Sequence, residues 1–255
     1  MVTTATPAPE MPAPGPINSF ARIIGVLFSP KATFASIAAR PTWILPVLIA
    51  VVLGFCFTTV ISKHIGWTDL IRQQIAASPS AQKQIESLPA DQRDQALASR
   101  AKVMPYIFYS LNAVAPFIGV LLFAAIFMGI FNVVLGARIG FKTSLGVMSY
   151  AWIPQIIAIL VAIPILLAKD PSTIGDINNF MASNPGVLLS DDSPKWLVAL
   201  LSSFDIFSFW TIITLSFGFS AADSKKVTFG KSLGTIIIVW LFYVAAKVGL
   251  TAVFS

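Results

Sequence analysis

The sequence is short of the side chains that most enzymes rely on. It holds one histidine, His64, one cysteine, Cys56, and two glutamates, Glu10 and Glu86. A single imidazole cannot form a His-pair metal site, and it stands alone as the base for any Ser-His arrangement. Glu10 falls in a proline-rich tail and Glu86 in a polar stretch, so a membrane metalloprotease motif built on paired Glu and His cannot be assembled. No G-x-x-x-x-G-K-[ST] loop is present to cradle a nucleotide phosphate. Cys56 lies inside an apolar run, which excludes an intrachain disulfide and a multi-thiolate metal site. His64, next to Lys63 just beyond that run, reads as an interfacial anchor. The expectation is a non-enzyme with no catalytic residues, no cofactor and no metal.

Charge is scarce too. Charged residues make up 11% of the chain, against about 25% in soluble domains. Hydrophobic residues make up 56%, and the mean hydropathy is +0.82. Long apolar runs have no use in water and a clear one in lipid. The net charge of +6 raises the question of nucleic acid, but the 17 basic residues are scattered through short connections and form no patch. Anionic lipid headgroups are the expected partners, with no nucleic acid.

Five prolines between Pro7 and Pro16 mark residues 1–16 as a disordered tail. The tail lacks both the positive start and the apolar core of a cleavable signal peptide, so the first span is expected to direct insertion. Residues 17–41 mix large apolar side chains with Arg22 and Lys31, and Ser29-Pro30 is a helix start, which predicts two amphipathic helices at the interface.

Five stretches then meet the requirement of about 20 apolar residues per crossing. They are 43–61, 112–135, 143–168, 196–219 and 231–254 within a membrane domain 43–254. The fold class is therefore all-α, a polytopic bundle of five transmembrane helices preceded by N-terminal amphipathic interfacial helices. A six-span alternative folds 103–135 into a re-entrant pair, but no turn-forming residues break that stretch. Pro46, Pro116, Pro154 and Pro164 predict kinks in the first three spans and leave the last two straighter. The connection 62–102 reads as helical, with starts near Thr68, Pro79 and Pro89.

Arg138 and Lys142 occupy one short basic connection, and Lys225 and Lys226 another. Density of positive charge in short loops predicts a cytoplasmic N-terminus and an external C-terminus in a bacterial inner membrane. The same four residues are the candidate contact for anionic headgroups or a protein partner, worth about 1 kcal/mol each. A second copy of the chain or a protein partner is the other expected contact.

Within the spans, Asp205, Gln155 and Lys247 require an explanation. A lone charge at depth costs at least about 2.5 to 3.5 kcal/mol on insertion scales, so Asp205 and Lys247 are expected to face each other or water inside the bundle. Gln155, near mid-membrane, would join them. Such a cluster serves either as a polar staple fixing helix register or as the site of a permease or transporter component.

The run Asp205-Ile206-Phe207-Ser208-Phe209-Trp210, continuing TIITLSFGFSAADSKKVTFGKSLGTIIIVWLFYV, resembles the bacterial branch of the Yip (Ypt-interacting protein) membrane family. So does SPKATFASIAARPTWILP, from Ser29 to Pro46, and the resemblance runs over most of Phe20 to Leu250. It implies a five-helix polytopic fold with a cytoplasmic N-terminal region. For eukaryotic relatives it implies binding to Rab-type GTPases and a role in vesicle trafficking and membrane shaping. The long 62–102 connection departs from the compact eukaryotic pattern. From the residues themselves, Phe207, Phe209 and Trp210 give bulky packing surfaces, and Gly218, Gly230 and Gly234 are expected to allow close helix approach. The function read from all of this is non-catalytic organisation or scaffolding of membrane, or recruitment of partners to it.

Overall fold

The computed structural model describes residues 18–76, 79–171, 174, 180–190 and 193–254. The tail 1–16 lies outside the described residues, as do Asp176, Asp191 and Asp192. The described residues form eleven α-helices, one 3₁₀ turn at Pro185–Leu188 and no strand. In hydrocarbon every backbone polar group must be satisfied within its own segment, so long apolar runs become helices.

Two short helices come first, α1 (Ser19–Phe28) and α2 (Pro30–Ala39). Asn18 caps α1 by accepting from the Ala21 backbone N–H at 2.7 Å. The two helices dock their inner faces on the bundle, where Val26, Phe34 and Ile37 are fully buried. The opposite face of α1 leaves Phe20, Ile24 and Phe28 exposed at spacing i, i+4, i+8.

The first span is α3 (Ile44–His64), 21 residues, or about 31 Å at about 1.5 Å per residue. Pro46 falls in its first turn, where the missing N–H has no intrahelical partner to lose, so it is accommodated there and does not interrupt the span. Beyond α3, α4 (Trp67–Ala76) and α5 (Pro79–Glu86) lead to α6 (Ala90–Leu135). At 46 residues, α6 is about 69 Å long, twice the hydrocarbon thickness, so its N-terminal part projects beyond the membrane. Pro105 and Pro116 lie within it without ending it.

The third span is made of α7 (Phe141–Ala151) and α8 (Ile153–Ala168), with a break at Trp152. Pro154 stands in the first turn of α8, the position a proline tolerates best, while Pro164 lies inside α8. Where a straight fourth span is expected, the structure has a bent pair: α9 (Lys195–Leu201) and α10 (Ile206–Ala222) meet at 46°. The cause is local, because the Asp205 carboxylate accepts from the Phe207 and Ser208 backbone N–H groups and starts α10 afresh. The fifth span, α11 (Phe229–Phe254), is a single helix of 26 residues.

The main core joins α1 and α2 to α6, α7 and α10. At its centre Phe131 stacks on Phe219 with ring centroids 4.5 Å apart, and Phe127 packs on both rings. A smaller cluster of Ile61, Ile65, Leu70 and Leu166 sits at the opposite end. There the His64 Nε2–H donates to the Lys169 carbonyl at 2.8 Å, tying the end of α3 to the end of α8. Trp67 packs on Phe108 at 5.2 Å, which lays α4 along the projecting part of α6.

Candidate functional site

Two sets of polar residues stand out, one at the end of the bundle that carries the short basic connections and one inside the spans. The basic end is assembled by two backbone devices. Gly136 ends α6 with φ of 62°, a left-handed conformation that glycine adopts without strain, and the Ala137 N–H bonds back to the Phe131 carbonyl. The Asn132 side chain then clasps the backbone of Ile139, accepting its N–H at 2.9 Å and donating to its carbonyl at 3.0 Å. So fixed, Arg138 presents its backbone N–H to the Asp223 carboxylate at 2.9 Å. The same carboxylate accepts from the Lys226 backbone N–H at 3.3 Å. The structure therefore brings the connection bearing Arg138 and Lys142 against the one bearing Lys225 and Lys226, with all four side chains exposed.

Asp223 is the acid that offsets this charge. The Arg138 backbone N–H, with smaller contributions from the N–H groups of Lys225 and Lys226 and the Lys226 charge, holds its carboxyl below the usual carboxylate range. Segments 18–45, 130–143 and 220–231 together hold eight basic residues and Asp223 alone among acids. The potential at this end is therefore positive.

The hairpin of α1 and α2 belongs to the same end. Phe34 of α2 packs beside Gly218, close to the last turn of α10, and a Cβ at Gly218 would collide with Val147 Cγ1. Here the glycine does allow close approach. At Gly230 and Gly234 a Cβ would meet nothing within 4 Å, so those two glycines do not mark a helix contact.

Arg22 holds the hairpin shut. Its side chain is 4% exposed. The guanidinium donates from Nε to Ser36 Oγ at 3.1 Å, from Nη2 to the Ser36 carbonyl at 3.0 Å, and from Nη1 to the Arg40 carbonyl and Thr42 Oγ1, both at 2.9 Å. The Ser36 and Arg40 carbonyls lie at the C-terminal end of α2, where the dipole favours a cation; Ser36 accepts the Arg40 backbone N–H at 3.1 Å as well. Thr42 in turn bonds the buried Tyr150 hydroxyl of α7 at 3.1 Å. Read from sequence, Arg22 is one more surface charge; in the structure it is an internal clamp.

Inside the spans the three expected residues do not form one cluster. No ion pair joins Asp205 to Lys247 among the described residues: Asp205 caps α10, while Lys247 Nζ donates to Ser202 Oγ at 3.1 Å and Ser203 Oγ at 3.2 Å. Lys247 thus grips the break between α9 and α10 from α11. Gln155 Nε2 donates instead to Thr211 Oγ1 at 3.3 Å, joining α8 to α10. Nearby, the Thr214 hydroxyl donates to the Ala151 carbonyl at 2.9 Å, serving the end of α7 at the Trp152 break.

A further polar contact escaped the sequence reading. Asn112 Nδ2 donates to Thr58 Oγ1 and to the Phe108 carbonyl, and its Oδ1 packs where a Cβ on Gly54 would collide. A polar side chain facing a glycine and a threonine one turn apart on another span is a recurrent signature of helix pairing in lipid. Cys56 is exposed on α3.

Among the described residues, helices long and apolar enough to cross a membrane number four, or five if α9 and α10 form one bent span. Together with the single helical fold, this defines a multi-pass α-helical membrane protein. The model of the Yip1 domain matches residues 24–250, and the chain belongs to that family. A search of curated proteins and a search of solved structures return no match.

Proposed function

We propose that this protein organises the membrane at its basic end without catalysing a reaction. On this reading α1 lies in the headgroup region of the leaflet at that end, inserting Phe20, Ile24 and Phe28 among the first acyl carbons. Arg138, Lys142, Lys225 and Lys226 attract anionic headgroups beside it. On the same reading this end, and the N-terminus, face the cytoplasmic side of an inner membrane and the C-terminus lies outside, which the density of positive charge in these short connections supports. The observation that carries the reading is the bond from the Arg138 N–H to Asp223, which makes one surface out of two connections 85 residues apart.

A wedge held by a rigid hairpin suits a scaffold or a protein that displaces leaflet area. A protein partner or a second copy would dock on the same charged surface. The transport reading is weakened by the way the charges are used: Asp205 is occupied in capping and Lys247 in holding Ser202 and Ser203.

Spin-labelled lipids test the proposal in reconstituted vesicles. Phosphatidylglycerol should be enriched over phosphatidylcholine in the motionally restricted shell, and the quadruple change Arg138→Gln, Lys142→Gln, Lys225→Gln and Lys226→Gln should abolish that preference. Equal restriction of both lipids by the unaltered protein would refute it. Proton or solute flux through the same vesicles that is lost in Asp205→Asn would favour transport instead.

A further inference from the structure

The break at Trp152 opens a cavity of about 450 Å³ between α6, α7, α8, α10 and α11. Its walls are almost wholly apolar and rich in rings, among them Phe127, Trp152 and Trp240. No charged side chain lines it. Four polar side chains do: Gln155, Ser208, Thr211 and Tyr243; the Thr211 hydroxyl is already spent on the Phe207 carbonyl, which leaves the other three.

Their hydrogen-bonding capacity is not used up. Gln155 spends one amide N–H on Thr211, which leaves the second N–H. The Ser208 and Tyr243 hydroxyls make no hydrogen bond to any described residue. Tyr243 lies about 21 Å along α11 from Phe229, at about 1.5 Å per residue, which is well inside a hydrocarbon layer about 30 Å thick. Water is absent at that depth, so donors left unpaired there are costly. An ordinary phospholipid fills the cavity with acyl chain and leaves the donors unpaired.

We propose that this cavity binds a neutral isoprenoid quinone, with the ring between Trp152 and Trp240 and its carbonyl oxygens accepting from Gln155, Ser208 and Tyr243. The chemistry matches on three counts. A quinone head is uncharged, as a cavity with no counter-ion requires. It is flat and packs against aromatic faces. It carries acceptors without donors, the complement of the free N–H and O–H groups, while its tail is at home in the surrounding lipid. Small-molecule sites are commonly of this size and make-up, apolar with a few convergent polar groups.

The test uses the full chain in nanodiscs of phosphatidylcholine, titrated with a short-tail ubiquinone while tryptophan fluorescence is followed. Quinones quench tryptophan, and Trp152→Phe identifies the part of the signal that comes from the cavity. The expected result is saturable quenching whose midpoint shifts about fivefold to higher quinone in Tyr243→Phe and in Gln155→Leu. Tyr243 is 60% exposed and loses only a hydroxyl, so Tyr243→Phe folds normally and its thermal midpoint should stay unchanged. An isoprenoid alcohol with the same tail should compete weakly. Quenching that rises linearly with quinone content and ignores every substitution is bilayer partition and overturns the proposal. Equal competition by the alcohol means that the tail alone is recognised, and it overturns the proposal as well.

Discussion

The span of α7 and α8 and the span of α11 are both apolar enough to cross a membrane, yet they stand in opposite surroundings. In the most apolar stretch of the first, 33% of residues are buried; in that of the second, 11%. The two are almost equally apolar, so hydropathy does not separate them; what differs is which residues the first one buries. Every residue of α7 from Ser144 to Ala151 is buried, a run that includes Ser144, Gly146, Ser149 and Tyr150. By contrast α11 turns Ile237, Ile238, Leu241 and Phe242 outward. Lipid tails are as apolar as leucine, so no hydrophobic force drives a large aliphatic side chain inward from hydrocarbon. Small residues and satisfied polar groups therefore share the interior with the packed rings. Ser144 donates to the Ala124 carbonyl at 2.7 Å, and Gly146 lets Ile37 and the Thr42 carbonyl come close.

The largest break in that comparison should come from Arg22. Arg22→Met removes four donated hydrogen bonds, two of them to carbonyls at the end of α2, so thermal unfolding in detergent should show a loss of about 3 kcal/mol. Gly218→Ala comes next. Its Cβ collides with Val147, and overpacking of this kind costs about 1 to 3 kcal/mol, whereas Gly234→Ala, facing open space, should leave the midpoint unchanged or slightly raise it. Tyr150→Phe should cost about 1 kcal/mol, because Thr42 keeps its bond from Arg22.

Smaller still is the effect of Asp223. Its carboxyl is held below the usual range, so the folded state binds a proton less readily than the unfolded chain does. Its contribution is therefore present above about pH 5 and fades as pH falls below about 4, through the lowered folded value. The protection of the Arg138 amide, its exchange rate relative to the intrinsic rate at the same pH, should fall over that window, and Asp223→Ala should make the protection low at every pH. On the lipid-facing side, Phe242→Ala should barely move the unfolding midpoint, since Phe242 is 73% exposed and leaves one lipid contact for another.

The helical membrane fold was legible because hydropathy reports directly on the solvent: a run of about 20 apolar residues has one use. The site was less so. Asp205 carries a local N-cap signal, an acid just before an apolar run, but a reading that assumes a continuous helix hides it and looks for a counter-ion in Lys247. The real partners of Lys247, Ser202 and Ser203, are neutral and carry no pattern of charge. Arg22 could not be recognised at all, since its acceptors include backbone carbonyls at the end of another helix, and backbone has no letter in the sequence. Among the glycines, only a neighbour in space separates Gly218 from Gly230 and Gly234.

The central claim is that Arg22 clamps the hairpin so that α1 presents its outer stripe to the leaflet at the basic end. Spin-label accessibility at Ile24→Cys, in a Cys56→Ser background and in vesicles containing phosphatidylglycerol, tests it most directly. The account predicts a label reached by oxygen and shielded from a water-soluble nickel chelate, at a depth just below the headgroups, with chelate access restored by Arg22→Met. A label as open to the chelate as one on Lys83 would contradict it.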